Sequence, residues 1–124
     1  MSQARPVFLN LLQIRFPVTA IASILHRVSG VLMFIALPFM MYALDRSLTS
    51  PEGFKEIQTC LSSMCGKLML LAVLAAVFYH VLAGVRHLIM DMGFFESMRG
   101  GRITAYITII LAVVLTLGAG CWLW

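Results

Sequence analysis

Ser23, His26, Arg27 and Gly30 lie at offsets 0, 3, 4 and 7, a spacing that puts four residues on one side of a helix. The apolar run Val28 to Leu44 follows directly. An arginine near the centre of a membrane helix costs roughly 2.5–3.5 kcal/mol on insertion scales. A cation at the edge of such a run therefore suggests a polar or redox task. Gly30 carries no side chain, so a flat ligand or a neighbouring helix could approach. The plainer alternative is that His26 and Arg27 mark the interface and snorkel to lipid phosphates.

A second stripe is formed by His80, Gly84, His87 and Asp91, at offsets 0, 4, 7 and 11. His80 is eleven residues from Asp91, or about 16 Å along a helix at 1.5 Å per residue. That distance sets it near mid-membrane, with His87 close to one surface. An imidazole at such depth needs a partner. Either it hydrogen-bonds within the bundle, or it ligates a metal, and imidazole suits haem iron. Gly84 could clear room for a porphyrin face, and His26, Arg27 and His87 could meet the propionates. Because His80 is the one histidine at mid-depth, bis-histidine ligation would need a second histidine from another subunit. The chain shows no glycine-rich phosphate loop, no paired catalytic carboxylates and no cysteine cluster. No residue is assigned as catalytic, and the chain is not a complete oxidoreductase by itself.

The elements that hold these stripes follow from composition. Only 11% of the 124 residues are charged, 61% are hydrophobic and mean hydropathy is +0.98. A soluble domain carries about 25% charge, so too little polar surface remains to cover a water-exposed globule. The fold class expected is all-α: an integral membrane bundle of three transmembrane helices, near residues 22–46, 64–91 and 103–123, within a single domain spanning 1–124. An N-terminal interfacial segment, Asn10 to Ala22, should lead in and bend at Pro17. Pro38 predicts a kink in the first helix. Ser50-Pro51-Glu52 reads as the start of a short surface helix near Glu52 to Cys60. The second connection, Asp91 to Arg102, holds Gly93, Gly100 and Gly101 and reads as a turn.

The net charge of +4 does not indicate nucleic acid, because the basic residues are scattered at the ends of apolar runs. They report topology instead. Six of the Lys and Arg residues (Arg5, Arg15, Arg27, Arg86, Arg99, Arg102) fall on one side and three (Arg46, Lys55, Lys67) on the other. The N-terminus is then expected inside and the C-terminus outside, with Trp122 and Trp124 anchoring the outer interface. No cleavable signal peptide or transit peptide is expected. The three cysteines, Cys60, Cys65 and Cys121, have no metal-ligand spacing and read as small apolar side chains.

Several blocks together carry a family resemblance. Arg5-Pro6, Ile14-Arg15-Phe16-Pro17, the stretch Ser23 to Gly30, Ser50 to Phe54, and Tyr79-His80 through Gly84-Val85-Arg86-His87 to Asp91 resemble the cytochrome b556 membrane-anchor subunits of bacterial succinate dehydrogenase, respiratory complex II. The similarity runs along essentially the whole chain. It implies that His80 is an axial ligand of haem b, opposite a histidine of a second small membrane-anchor subunit. It implies that Ser23 and Arg27 belong to a quinone-binding site for ubiquinone. It also implies that His26, Arg27 and His87 lie in the haem-propionate region. FAD and iron–sulfur clusters would reside only in partners, a flavoprotein subunit and an iron-sulfur subunit on the cytoplasmic face. The location implied is the bacterial inner membrane, with the N-terminus cytoplasmic and the C-terminus periplasmic.

Three other readings remain open on the residues alone. They are the anchor of a fumarate reductase, a non-redox membrane adaptor whose polar stripes only pack helices, and a small transporter using His80 and Arg27 as a relay. Three spans without an internal repeat and one buried histidine weigh against the transporter.

Overall fold

A computed structural model describes residues 15–124. Four helices account for nearly all of them: α1 (Val18–Thr49), α2 (Pro51–Ser62), α3 (Met64–Asp91) and α4 (Met98–Leu123). Among the described residues there is no strand. Three helices, α1, α3 and α4, are long and apolar enough to cross a membrane. The 32 residues of α1 make a rod of about 48 Å, well beyond the roughly 30 Å hydrocarbon core. Its ends therefore project into the interfaces. α1 is continuous through Pro38. The interfacial lead-in expected over Asn10 to Ala22 lies partly outside the described residues. From Val18 onward that stretch is already α1, with Pro17 extended at its start.

The starts of α2, α3 and α4 share one local design. In each, a serine hydroxyl accepts a hydrogen bond from the backbone N–H of a glycine three residues on: Ser50 from Gly53, Ser63 from Gly66 and Ser97 from Gly100, all at 3.0 Å. Such caps satisfy N–H groups that the first helical turn leaves unpaired. At two of these positions only glycine fits. A Cβ at Gly53 would strike the Arg46 carbonyl, and one at Gly66 would strike the Cys60 carbonyl. The chain reverses so tightly there that α2 and α3 begin against the backbone of the preceding helix. α2 is further tied to the end of α1 by the exposed pair Arg46–Glu56 at 3.1 Å; such pairs contribute at most about 1 kcal/mol.

α4 starts at Met98, five residues before the position expected from hydropathy. Arg99-Gly100-Gly101-Arg102 belong to its first turns rather than to a loop. The Ser97 cap and the packing of Gly101 explain this. Gly101 is buried, with Thr19 of α1 and Met90 of α3 packed in ordinary van der Waals range of it. The true connection is Met92–Ser97, where Gly93 and Phe95 take positive φ values of 88° and 60°. The Phe95 value is uncommon for a side-chain-bearing residue.

α3 is the central helix and packs against α1, α2 and α4. Apart from Arg86, the buried side chains are small: Ala22, Ala76, Ala83, Ala105, Ala112, Ser29 and Thr108. Large apolar side chains point outward, Phe34 being 77% exposed and Leu117 64%. This inversion is what lipid demands. Hydrocarbon tails are as apolar as leucine, so helices associate through close backbone approach and hydrogen bonds rather than hydrophobic burial. At one end Thr19 of α1 meets Gly101 of α4. At the other, Lys67 of α3 lies 5.3 Å from the ring of Trp124, which follows α4. The exposed Trp122 and Trp124 thus share an end of the bundle with α2.

Candidate functional site

The seam between α1 and α3 carries the polar groups. Tyr79 Oη donates to the Ala22 carbonyl at 2.8 Å. One helical turn along, the Ser29 hydroxyl donates to the His26 carbonyl at 2.8 Å and lies 3.1 Å from His80 Nδ1. His80 Nδ1 is also 3.2 Å from the His26 carbonyl. A carbonyl oxygen can only accept, so Nδ1 of His80 carries the ring hydrogen. Its Nε2 then keeps a lone pair. His87 is held similarly, with Nδ1 donating to the Ala83 carbonyl at 2.7 Å.

The three imidazoles form one stack. His26 lies between His80, at a centroid distance of 4.2 Å, and His87, at 5.0 Å, with interplanar angles of 25° and 24°. Of the two glycines singled out in the sequence, Gly30 is the one this stack requires: a Cβ there would come within 3.0 Å of His80 Cε1, whereas one at Gly84 would lie 3.7 Å from His26 Nε2, an ordinary contact. Gly30 therefore admits the neighbouring helix's histidine, and the space over Gly84 is bordered by the His26 ring. His26 Nε2 is buried and has no hydrogen-bond partner. Buried polar nitrogens are almost always paired, so this atom points to a ligand or subunit that supplies one.

Ser23 and Arg27 sit differently. Ser23 is half-buried and Arg27 exposed. Arg27 makes no ion pair or side-chain hydrogen bond among the described residues, where the single ion pair is Arg46–Glu56. The expected single face of α1 thus divides. His26, Ser29 and Ala22 turn toward α3, while Arg27 is presented outward. It remains available to whatever packs on that side.

Three functional-looking residues were not singled out by the stripes. Ser29 stands in the Ser23–Gly30 block, and offsets of 4 and 3 from Ala22 through His26 to Ser29 were its available signal. Tyr79 could have been found as the polar group one residue before His80. Arg86 read only as a charge flanking a loop. It is in fact just 8% exposed, donating through Nε to Thr104 Oγ1 and through a terminal nitrogen to the Gly101 carbonyl, both at 3.1 Å. It lines a cavity of about 170 Å³ between α3 and α4. Hydrogen bonds from a charged donor contribute about 1.5–3 kcal/mol each, which makes Arg86 a clamp between those helices.

Among the described residues no three His, Cys, Asp or Glu side chains converge to hold a metal ion. An iron whose equatorial ligands come from a porphyrin asks the protein only for axial donors. His80, with Nδ1 fixed by hydrogen bonds and Nε2 bearing a lone pair, has the chemistry of such a donor. The unpaired His26 Nε2 suits a carboxylate oxygen.

Residues 1–119 match the family described as the succinate dehydrogenase/fumarate reductase transmembrane subunit. The chain is 42% identical over 125 residues to a succinate dehydrogenase cytochrome b556 subunit of Coxiella burnetii, covering all of both chains. It is 30% identical to the subunit of the same name from Rickettsia felis, over 91% of this chain and 88% of that one. To the Paracoccus denitrificans protein of that name it is 33% identical, over 73% and 69% of the two chains.

Proposed function

The chain belongs to the succinate dehydrogenase/fumarate reductase transmembrane subunit family, and we propose that it anchors a succinate:quinone oxidoreductase, shares haem b with a second small membrane subunit and contributes to the ubiquinone-reduction site. It is a multi-pass membrane protein and a succinate dehydrogenase cytochrome b subunit by family. The observation that carries the finer reading is the α1–α3 seam, where His80 has Nδ1 occupied and Nε2 available beside an unpaired buried nitrogen on His26.

In this reading His80 Nε2 would ligate the haem iron together with a histidine of the second anchor subunit, and His26, Arg27 and His87 would lie in the haem-propionate region. When bound, the haem supplies a one-electron carrier. The residues of this chain supply ligation, charge and orientation. His80 donates its lone pair, and the hydrogen bonds at Nδ1 keep that lone pair directed. Ser23 offers a hydroxyl to a quinone carbonyl oxygen. Arg27 holds a permanent positive charge beside the oxygen on which negative charge develops as the quinone is reduced. Arginine does not release its proton, so the two protons taken up per quinol come through another group or water. The flavin and iron–sulfur clusters that accept electrons from succinate belong to the flavoprotein and iron-sulfur partners.

A reduced-minus-oxidised optical spectrum of the complex isolated through this subunit tests the reading. Sharp b-type bands should appear on adding succinate. Soluble partners retained without such bands would exclude the haem role.

Orientation is part of the proposal: N-terminus cytoplasmic, C-terminus periplasmic, in the bacterial inner membrane. The excess of Lys and Arg at the end holding Arg27, Arg99 and Arg102 supports it. Cys60, Cys65 and Cys121 are exposed and unpaired. Cys60 lies on α2 and Cys65 in the first turn of α3, both at the end assigned to the periplasm. A membrane-impermeant thiol reagent should therefore modify Cys60 in sealed right-side-out vesicles and spare it in inverted ones. The opposite pattern would reverse the topology.

A further inference from the structure

We infer that Ser29 is a positioning residue for the haem ligand: its hydroxyl fixes the tautomer and the ring angle of His80 and so governs how tightly the iron is held. This rests on the reading of His80 as an axial ligand. The Ser29 hydroxyl has a single hydrogen, and it is directed at the His26 carbonyl 2.8 Å away. An oxygen lone pair of the same hydroxyl is then left for His80 Nδ1–H, 3.1 Å distant. The His26 carbonyl approaches the same Nδ1 at 3.2 Å. Serine, carbonyl and imidazole thus form a closed triangle in which every donor has an acceptor and Nε2 is the only free nitrogen of the ring.

A serine bonding back to a carbonyl three residues earlier is common inside membrane helices and needs no further role. What distinguishes Ser29 is the second contact, across 51 residues of sequence to the opposite helix. Its burial matters equally. Ser29 is only 5% exposed, so no bulk water can stand in for the hydroxyl if it is removed. His80 would retain one longer contact, to a carbonyl. It would then be freer to rotate about its side-chain bonds or to place its hydrogen on Nε2, where it cannot ligate. Gly30 belongs to the same device, since a Cβ there would meet His80 Cε1 at 3.0 Å and oblige the ring to shift against its contact with Ser29.

Two consequences are measurable. Removing an outer-shell hydrogen bond to a metal-ligating histidine commonly weakens metal binding by about 10–100-fold. Acceptance of the Nδ1–H by an oxygen also raises the electron-donating power of the imidazole, which favours ferric iron. Its loss should raise the haem midpoint potential. The experiment uses the assembled complex isolated through this chain in wild-type, Ser29→Ala, Ser29→Thr and His80→Ala forms, with subunit stoichiometry checked in each. Haem release is followed optically in excess apomyoglobin as scavenger, and the haem potential by redox titration. We expect Ser29→Ala to assemble, to lose haem at least tenfold faster and to show a raised potential. Ser29→Thr, which keeps the hydroxyl, should restore both. A Ser29→Ala complex with wild-type haem retention and potential, in a protein whose haem is lost in His80→Ala, would overturn this inference alone. Haem that persists unchanged in His80→Ala would instead overturn the ligand reading on which it rests.

Discussion

Replacing His80 by alanine is expected to abolish or severely reduce haem binding in the assembled complex, with the b-type bands lost or shifted at unchanged subunit stoichiometry. The size of the effect follows from what remains. No other histidine of this chain can take over at the same depth without rearrangement: His87 lies seven residues further along α3, about 10 Å. His26 belongs to α1 and stacks between the two. The iron would be left with the single axial ligand of the partner. The cost to the fold should be modest by comparison. His80 is only half-buried, and its removal leaves the Ser29 hydroxyl still bonded to the His26 carbonyl. Quantifying haem per complex by optical spectroscopy decides the matter. A full complement with an unshifted spectrum would rule out His80 as the ligand.

The second large effect is expected at Arg27. Arg27→Ala should lower quinone reductase activity about 100-fold or more, the usual result of removing a preorganised charge beside a developing oxyanion. Succinate oxidation by an artificial acceptor that draws electrons from the soluble subunits should be unaffected. The two assays separate chemistry at the quinone from assembly. The structure makes Arg27 a clean probe, because it is exposed and has no ion-pair partner among the described residues. Substitutions at such positions usually change stability by less than about 0.5 kcal/mol. Arg27→Lys should recover only part of the rate, since it keeps the charge and loses the planar fork of donors. Unchanged quinone turnover in a fully assembled Arg27→Ala complex would remove Arg27 from the site.

Much of this was legible in the chain. Three apolar runs interrupted by polar connections specify three membrane helices, because lipid leaves the backbone no other way to satisfy its hydrogen bonds. Ser50-Pro51-Glu52 announced α2, since a serine cap and an N-terminal proline act locally. The start of α4 was not legible. Arg99-Gly100-Gly101-Arg102 is a plausible turn on propensity, and it is helical because Gly101 packs beneath Thr19 and Met90. Arg86 was misleading for a related reason. A charge near a helix end normally reaches water, yet this one turns inward to Thr104 and the Gly101 carbonyl, acceptors that exist only once α4 has docked.

The division is clearest on α1. Helical periodicity alone determined that Ser23, His26, Arg27 and Gly30 share one broad side, and that His80 and His87 share another on α3. It could not determine which edge of that side meets α3. Arg27 is five residues from Ala22, about 140° around the helix at 100° per residue. Only the packing of α1 on α3, through Ala22, Ser29 and Gly30, directs His26 inward and leaves Arg27 outside. A sequence sets the angles between side chains on one helix. The rotation of that helix against its neighbour is set by which small residues let the two backbones approach, and here that rotation stacks His26 on the histidines of α3 and leaves Arg27 exposed beside it.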